Sequence, residues 1–301
     1  MNDRLTRRNS GPDTTINVMT IDLEEWFQVT NFENIIPRSK WDQCESRINE
    51  VVPRLLDIFS EHHVRATFFV LGWLAERYPD LIRRISREGH EIASHGYDHR
   101  LVTTMTRDEF RQQLIQPKEI LEQALGGPVH GYRAPSYSFS KGNDWVIDEL
   151  LNAGFLFDSS IFPFGARKNS ELCFSKLPCS LSREGGALME YPLSIVNLHG
   201  MDVPIAGGGY FRLLPYAIVK QGIQKLNRQG TPAIMYFHPW EFDPDQPRVT
   251  TASVLATFRH YVNLEKNEAK LIRLVKEFHF ASVKDVFWNG TEGKYDSSPQ
   301  I

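Results

Sequence analysis

The sequence is short of cysteine, of long apolar runs and of charge imbalance, and each shortage removes a class of protein. Cys44, Cys173 and Cys179 are odd in number and show no CxxC spacing, which excludes a disulfide framework and a zinc ribbon. They are expected to be reduced packing residues. No window approaches the ~18 uninterrupted apolar residues of a membrane-spanning helix. Thirty-four Lys and Arg stand against 37 Asp and Glu, a net charge of −3, so no single-sign field draws nucleic acid or an anionic membrane. The opening MNDRLTRRNSGPDTT is polar, and Ile16 to Ile21 is too short for a signal peptide's apolar region, so a cytoplasmic location is expected.

What is present suits a large single core: 301 residues, 41% hydrophobic and 12% aromatic, a size at which one-domain α/β barrels are common. Residues 1–15 and 289–301 are polar and rich in Gly, Ser and Pro or charge, and are expected to be a disordered lead and tail around one domain at 16–288. Within it, strand-like and helical patterns alternate. INVMTIDLEEWF reads as a buried strand, Ile48 to Phe59 as an amphipathic helix closing near His62, and RATFFVLG as a second strand. LAERYPDLIRRISREG reads as a helix stopped by Gly89, and HEIASH as a strand. Thr106 or Asp108 caps a helix toward Leu125, and GYRAP, FLFDSS and PAIMYFH continue as strands. Helices are expected at Asp144 to Ala153, Pro215 to Arg228 and about Thr251 to Phe278. Such alternation predicts a parallel sheet. Residues 165 to 213 break it and read as a β-rich insertion.

The chemistry-bearing residues gather where these strands end. Asp22 and Glu24 are two apart, so their side chains leave the same strand face and Leu23 the other. Buried carboxylates need a metal, an Arg or a shared proton; otherwise the strand has emerged into solvent and these are loop acids. His95 and His99 form a His-x3-His pair, of which composition alone yields about 0.3 by chance. Its place after a strand adds weight, because ligands in α/β barrels collect at the C-terminal strand ends. Two imidazoles and a carboxylate leave positions open for water and substrate, as in a catalytic zinc site. Arg133, Asp158 and His238 end further strands. An Arg beside Asp22 would keep it ionised, and a His opposite could donate a proton.

The order of these motifs resembles that of the NodB-like polysaccharide deacetylases, carbohydrate esterase family four, and more closely the branch found beside exosortase-type exopolysaccharide loci. That resemblance runs from about Val18 to Val286. It implies a distorted (β/α) barrel of about seven units, with the half from about 155 onward particular to the branch through GGGYFRLLPY and FHPWEFDPDQPR. The family's TFDDG motif stands here as TIDLEE, which implies Asp22 as base and Glu24 as metal ligand, with Glu25 or Asp22 as the alternative ligand. His95 and His99 match the two ligand histidines, with Gly96 in place of a hydroxyl residue. RAPS at 133–136 resembles the Arg-x-Pro-Tyr motif, implying Arg133 beside the base and the Ser136 N–H in an oxyanion hole. Asp158 keeps the acid of an Asp-x-x-x-Trp motif without its Trp, and His238 matches the general acid. Substrate contacts are expected from Tyr137, Asp158, Tyr210 and Trp240.

The implied cofactor is one divalent metal, zinc first, with cobalt, nickel, manganese or iron(II) as alternatives. The implied partner is an N-acetylated glycan, together with contact to exopolysaccharide biosynthesis machinery. Two other readings stand beside this one. Some relatives hydrolyse cyclic amides or ureides without a metal, and a non-catalytic glycan-binding member of an assembly would share the fold.

Overall fold

A computed structural model describes residues 15–140, 142–165, 175–249, 253–290 and 292–300. The lead expected to be disordered lies, but for Thr15, outside them. The strand Asn17–Leu23 (β1) is followed by the helix Ile48–Glu61 (α1), Thr67–Val70 (β2), Gly72–Arg77 (α2), Pro79–Arg87 (α3) and Glu91–Ser94 (β3). Next come Arg107–Leu125 (α4), Gly131–Tyr132 (β4), Trp145–Asn152 (α5) and Phe157–Asp158 (β5). Two hairpins follow, Cys179–Arg183 with Gly186–Glu190 (β6, β7) and Ile195–Leu198 with Met201–Pro204 (β8, β9). Gly208–Leu213 (α6), Tyr216–Arg228 (α7), Ile234–Phe237 (β10), Val254–Tyr261 (α8), Leu264–Glu277 (α9), Phe280–Ala281 (β11) and Val283–Phe287 (α10) complete the alternation.

The strand order is β10-β1-β2-β3-β4-β5-β7-β6, all parallel but β6, with β11 also beside β1. Strands β7 and β10 do not pair. The seam between them is closed by Ser194, whose N–H donates to the Ile234 carbonyl (3.3 Å) and whose hydroxyl accepts from the Ile234 N–H (2.8 Å). The result is a distorted (β/α) barrel, as expected. Period-two alternation sorts β1: Val18 belongs to the inner cluster with Phe69, Phe157 and Ile234, while Met19, Ile21 and Leu23 pack under the helices. Thr20 and Asp22, on the Val18 side, therefore look into the barrel.

Five expectations change. The region 165–213, of which 166–174 lie outside the described residues, is not only an insertion, since β7 is a barrel strand beside β5. The helix expected at about 251–278 is two, because Asn263 at φ 54° turns the chain between α8 and α9. The stretch read as one helix before Gly89 is likewise two, α2 and α3, broken at Tyr78 before Pro79. Cys179 is disulfide-bonded rather than reduced, and Cys44 is the free thiol among the described residues. No helix among the described residues is long and apolar enough to cross a membrane.

The tail is the largest correction. Trp288–Asn289 (β12) and Lys294–Tyr295 (β13) form a hairpin that returns to the barrel. Tyr295, buried, packs its ring 4.7 Å from that of Phe157 and donates its hydroxyl to Glu91 (2.7 Å). Composition missed this because one aromatic anchor outweighs a polar context. Replacing Tyr295 with Ala should therefore destabilise the fold by about 3 kcal/mol, read as a lower urea midpoint; an unchanged midpoint would show the hairpin to be dispensable.

Candidate active site

Each candidate catalytic or metal-ligand residue leaves the C-terminal end of a parallel strand or the loop just after it. Asp22 is in β1 and Glu24 follows it, His95 follows β3, Arg133 follows β4 and His238 follows β10. Pairing brings them together: the His95 N–H donates to Val70 and the Arg133 N–H to Ser94, so β2, β3 and β4 end side by side. Asp22, Glu24, His95, His99, Ser136, Tyr137, His238 and Trp240 line one cleft of about 470 Å³.

Glu24, His95 and His99 are buried and offer ligand atoms within 4.8 Å of one another. His95 Nδ1 lies 2.8 Å from the Arg133 carbonyl, which can only accept, so Nδ1 carries the proton and Nε2 keeps its lone pair, the tautomer that a metal-ligating histidine needs. His99 Nε2 is 2.9 Å from Glu24 Oε2, yet Oε2 has no hydrogen-bond partner. A buried carboxylate oxygen without a donor is costly unless a cation satisfies it. The nitrogen and oxygen donor set and this orphaned oxygen fit a divalent metal. Glu25 is not part of the cluster: it accepts from Ser46 Oγ and from the N–H groups of Arg47 and Ile48, at the exposed donors of the α1 N-terminus.

Asp22 is clamped on both oxygens. Arg133 Nη1 donates to Oδ1 (2.7 Å) and Tyr137 Oη to Oδ2 (3.1 Å). Burial alone would raise the Asp22 pKa, but Arg133, His95 and His238 together hold it below the usual carboxylate value. Arg133 is itself fully buried and anchored to Thr20 and to both the carbonyl and hydroxyl of Ser159. Ser136 and Tyr137 both sit at left-handed φ, 52° and 55°, an arrangement that L-residues adopt only when their surroundings enforce it; it accompanies the turn of the Tyr137 hydroxyl onto Asp22.

His238 faces this group, its Nε2 3.8 Å from Asp22 Oδ2 and 3.6 Å from Glu24 Oε1. Its Nδ1 bonds Glu241 Oε2 (3.1 Å), and Glu241 Oε1 accepts from Arg212 Nε (2.9 Å). Burial lowers the His238 pKa, yet Glu24, Glu241 and Asp22 outweigh it and carry it to about 9, which favours the protonated imidazole. The approach of GGGYFRL to β10 needs glycine: a Cβ on Gly207 would lie 1.7 Å from the Tyr236 carbonyl oxygen. Arg212 and Glu241 were missed in the sequence, although Glu241 three residues after His238 has capping-box spacing.

Three expected substrate contacts are placed otherwise. Trp240 is nearly buried, its ring stacked with His238 and with His260 (centroids 4.3 Å), and its Nε1–H donates to Glu24 Oε1 (3.0 Å). It holds Glu24 rather than offering a free face to a sugar. Tyr210 does not line the cleft and packs against Phe162 and Phe164. Asp158 is fully buried behind the cleft, where its carboxylate accepts from Ser160, whose Oγ in turn accepts from the Ala134 N–H. It positions the 133–136 loop.

Residues 39–155 match the family profile "Polysaccharide deacetylase", and residues 159–288 match one described as a domain of unknown function, DUF3473. Over residues 39–155 the chain is therefore similar to polysaccharide deacetylases. The peptidoglycan-N-acetylglucosamine deacetylase of Bacillus cereus is 43% identical over 86 residues, 29% of this chain and 31% of that protein. The chain thus spans about a third of the length of the curated relatives it matches. A solved Mycobacterium smegmatis structure assigned as a polysaccharide deacetylase aligns over 90% of this chain and 94% of its own, at TM-score 0.54 and 24% identity. An allantoinase structure aligns over 86% of each chain, at TM-score 0.51 and 17% identity. These two likenesses are likenesses of fold. The segment matched as polysaccharide deacetylase contributes His95, His99, Arg133 and Ser136, whereas Asp22 and Glu24 precede it and His238, Glu241 and Arg212 follow it.

Behind Arg133, Asp158 and Glu190 are register partners on β5 and β7, both fully buried. Glu190 Oε2 has no donor, and burial raises both pKa values, with repulsion from Asp158 adding to the rise at Glu190, so the pair keeps a proton that the unfolded chain gives up above pH 4.5. The sign follows: this contribution is full at low pH and is lost as pH rises toward the folded value, by up to about 1.4 kcal/mol per pH unit. Glu190→Gln should flatten that part of the stability profile relative to wild type in urea melts at several pH values. Parallel profiles would show that the pair does not share a proton.

Proposed function

We propose that the protein removes acetyl groups from N-acetylated amino sugars of a poly- or oligosaccharide by metal-dependent hydrolysis. The observation that carries this reading is the convergence, in one cleft, of a Glu-His-His cluster with an Arg-clamped aspartate and a Glu-held histidine. The names of relatives such as the Bacillus cereus deacetylase support the substrate class. Glu24, His95 and His99 would hold the metal, zinc first for this donor set, with cobalt, nickel, manganese or iron(II) as substitutes. When bound, such an ion polarises the acetamide carbonyl and lowers the pKa of water.

The side chains then divide the proton work. Asp22, ionised and oriented by Arg133 and Tyr137, takes the proton of the attacking water. Ser136 offers its N–H to the developing oxyanion. His238, protonated and held through Nδ1 by Glu241, gives its Nε2 proton to the departing amine as the C–N bond breaks. Water has then added to the acyl carbon, leaving acetate and the free amino sugar. The same reading assigns the glycan to exopolysaccharide biosynthesis, on the likeness of the GGGYFRLLPY and FHPWEFDPDQPR segments to that branch.

Fold alone does not separate this from ureide hydrolysis, which the allantoinase likeness keeps in view. Retention of all three ligand residues favours the metal-dependent reaction. Acetate release from N-acetylglucosamine oligomers should stop with a chelator and return with zinc or cobalt; activity unaltered by metal removal would refute the proposal. Asp22→Asn should bind metal normally while losing at least about a hundredfold in kcat. Glu241→Gln should likewise lower kcat by about tenfold to a hundredfold with little change in metal content, and wild-type turnover in that variant would remove Glu241 from the proton path.

A further inference from the structure

The His95–His99 loop is held from two directions. It has no regular secondary structure, and Gly96 and His99 sit at left-handed φ, 76° and 56°. Its first two carbonyls after His95 are taken by the α2 N-terminus: Gly72 N–H donates to Gly96 O (2.8 Å) and Trp73 N–H to Tyr97 O (3.0 Å). The next two are taken by one side chain from a different part of the chain. Arg38 Nε donates to Asp98 O (2.7 Å) and Arg38 Nη2 to His99 O (3.2 Å), while Nη1 pairs with Glu33 Oε1 (2.5 Å). Arg38 opens the 3-10 turn Arg38–Gln43 between β1 and α1, which is fastened at its other end by Asp42 to Arg77 and pinned by buried Trp41.

We infer that Arg38 is a positioning residue for the metal site: its guanidinium fork fixes the His99 half of the loop and so holds the His99 imidazole against Glu24. This rests on the metal-dependent reading above. A planar guanidinium holds its donors in a fixed fork that spans two adjacent carbonyls, whereas an ammonium on a flexible stem must order its rotatable donors to do so. The left-handed turn at His99 is unfavourable for a residue with a Cβ, and without Arg38 the backbone on the His99 side keeps neither carbonyl bond. His99 Nε2 then samples positions away from Glu24 Oε2, and the binding site must be ordered when the ion arrives. Outer partners of metal ligands commonly govern affinity in this way.

The test is zinc titration calorimetry on wild type, Arg38→Ala, Arg38→Lys and Arg77→Ala, with thermal melts of each metal-free protein. Arg38→Ala should weaken zinc binding by about tenfold to a hundredfold, with a metal-free melting shift no larger than that of Arg77→Ala. Arg38→Lys should fall between wild type and Arg38→Ala. Arg77→Ala, which loosens the far end of the same turn without touching the histidine loop, should bind zinc as wild type does. Wild-type affinity in Arg38→Ala, or an equal loss in Arg77→Ala, would overturn the role of Arg38 alone. A wild-type protein that binds no divalent ion would overturn the metal-dependent reading as well.

Discussion

Arg133 is the interaction on which the site depends. Its guanidinium reaches from β4 across the barrel interior to Asp22 and Thr20 of β1 and to Ser159 beyond β5, and stands 4.0 Å over the Phe69 ring. Its own carbonyl sets the proton on His95 Nδ1. One residue thereby orients the aspartate through its side chain and a metal-ligand candidate through its main chain. A cation with no exposure is tolerable only because each N–H atom set finds an acceptor and a carboxylate balances the charge; removing one partner of such a pair costs about 3–5 kcal/mol. Stability and chemistry are thus tied to the same bonds.

The cleft is also a product of the whole barrel rather than of the segment 39–155 by itself. The segment matched as a domain of unknown function supplies β7, β10 and β11, the strands that flank β5 and β1. It also carries His238, Glu241 and Arg212. A boundary near residue 157 in the profile matches therefore cuts through one closed sheet, and each part lacks half of the cleft. The hairpin at 288–295 adds to the same barrel, with Tyr295 packed on Phe157 and bonded to Glu91.

Much of this was legible in the sequence because burial and charge conflict so visibly there. Apolar strands that end in Asp22, Glu24, His95, Arg133 and His238 announce residues held in place for chemistry. The alternation of strand and helix announced the parallel sheet. The rest failed where a residue type has several uses. Asp158 and Trp240 end up buried against the loop and the ligand carboxylate, and whether an acid or an indole faces a cleft or its wall depends on neighbours far away in sequence. Glu25, adjacent to Glu24, turns to the α1 N-terminus only because that helix begins beside it. Tyr295, Arg212 and Arg38 gain their roles from contacts across 29 to 204 residues, for which periodicity carries no signal.

X-ray absorption of the zinc-loaded protein tests the central claim most directly, because it reads the ligands rather than the turnover. One ion per chain with two imidazoles and oxygen donors in its coordination shell, losing one imidazole in His99→Ala, is the predicted result. An ion bound without imidazole, or a shell unchanged in His99→Ala, would contradict the assignment of Glu24, His95 and His99 as the metal site.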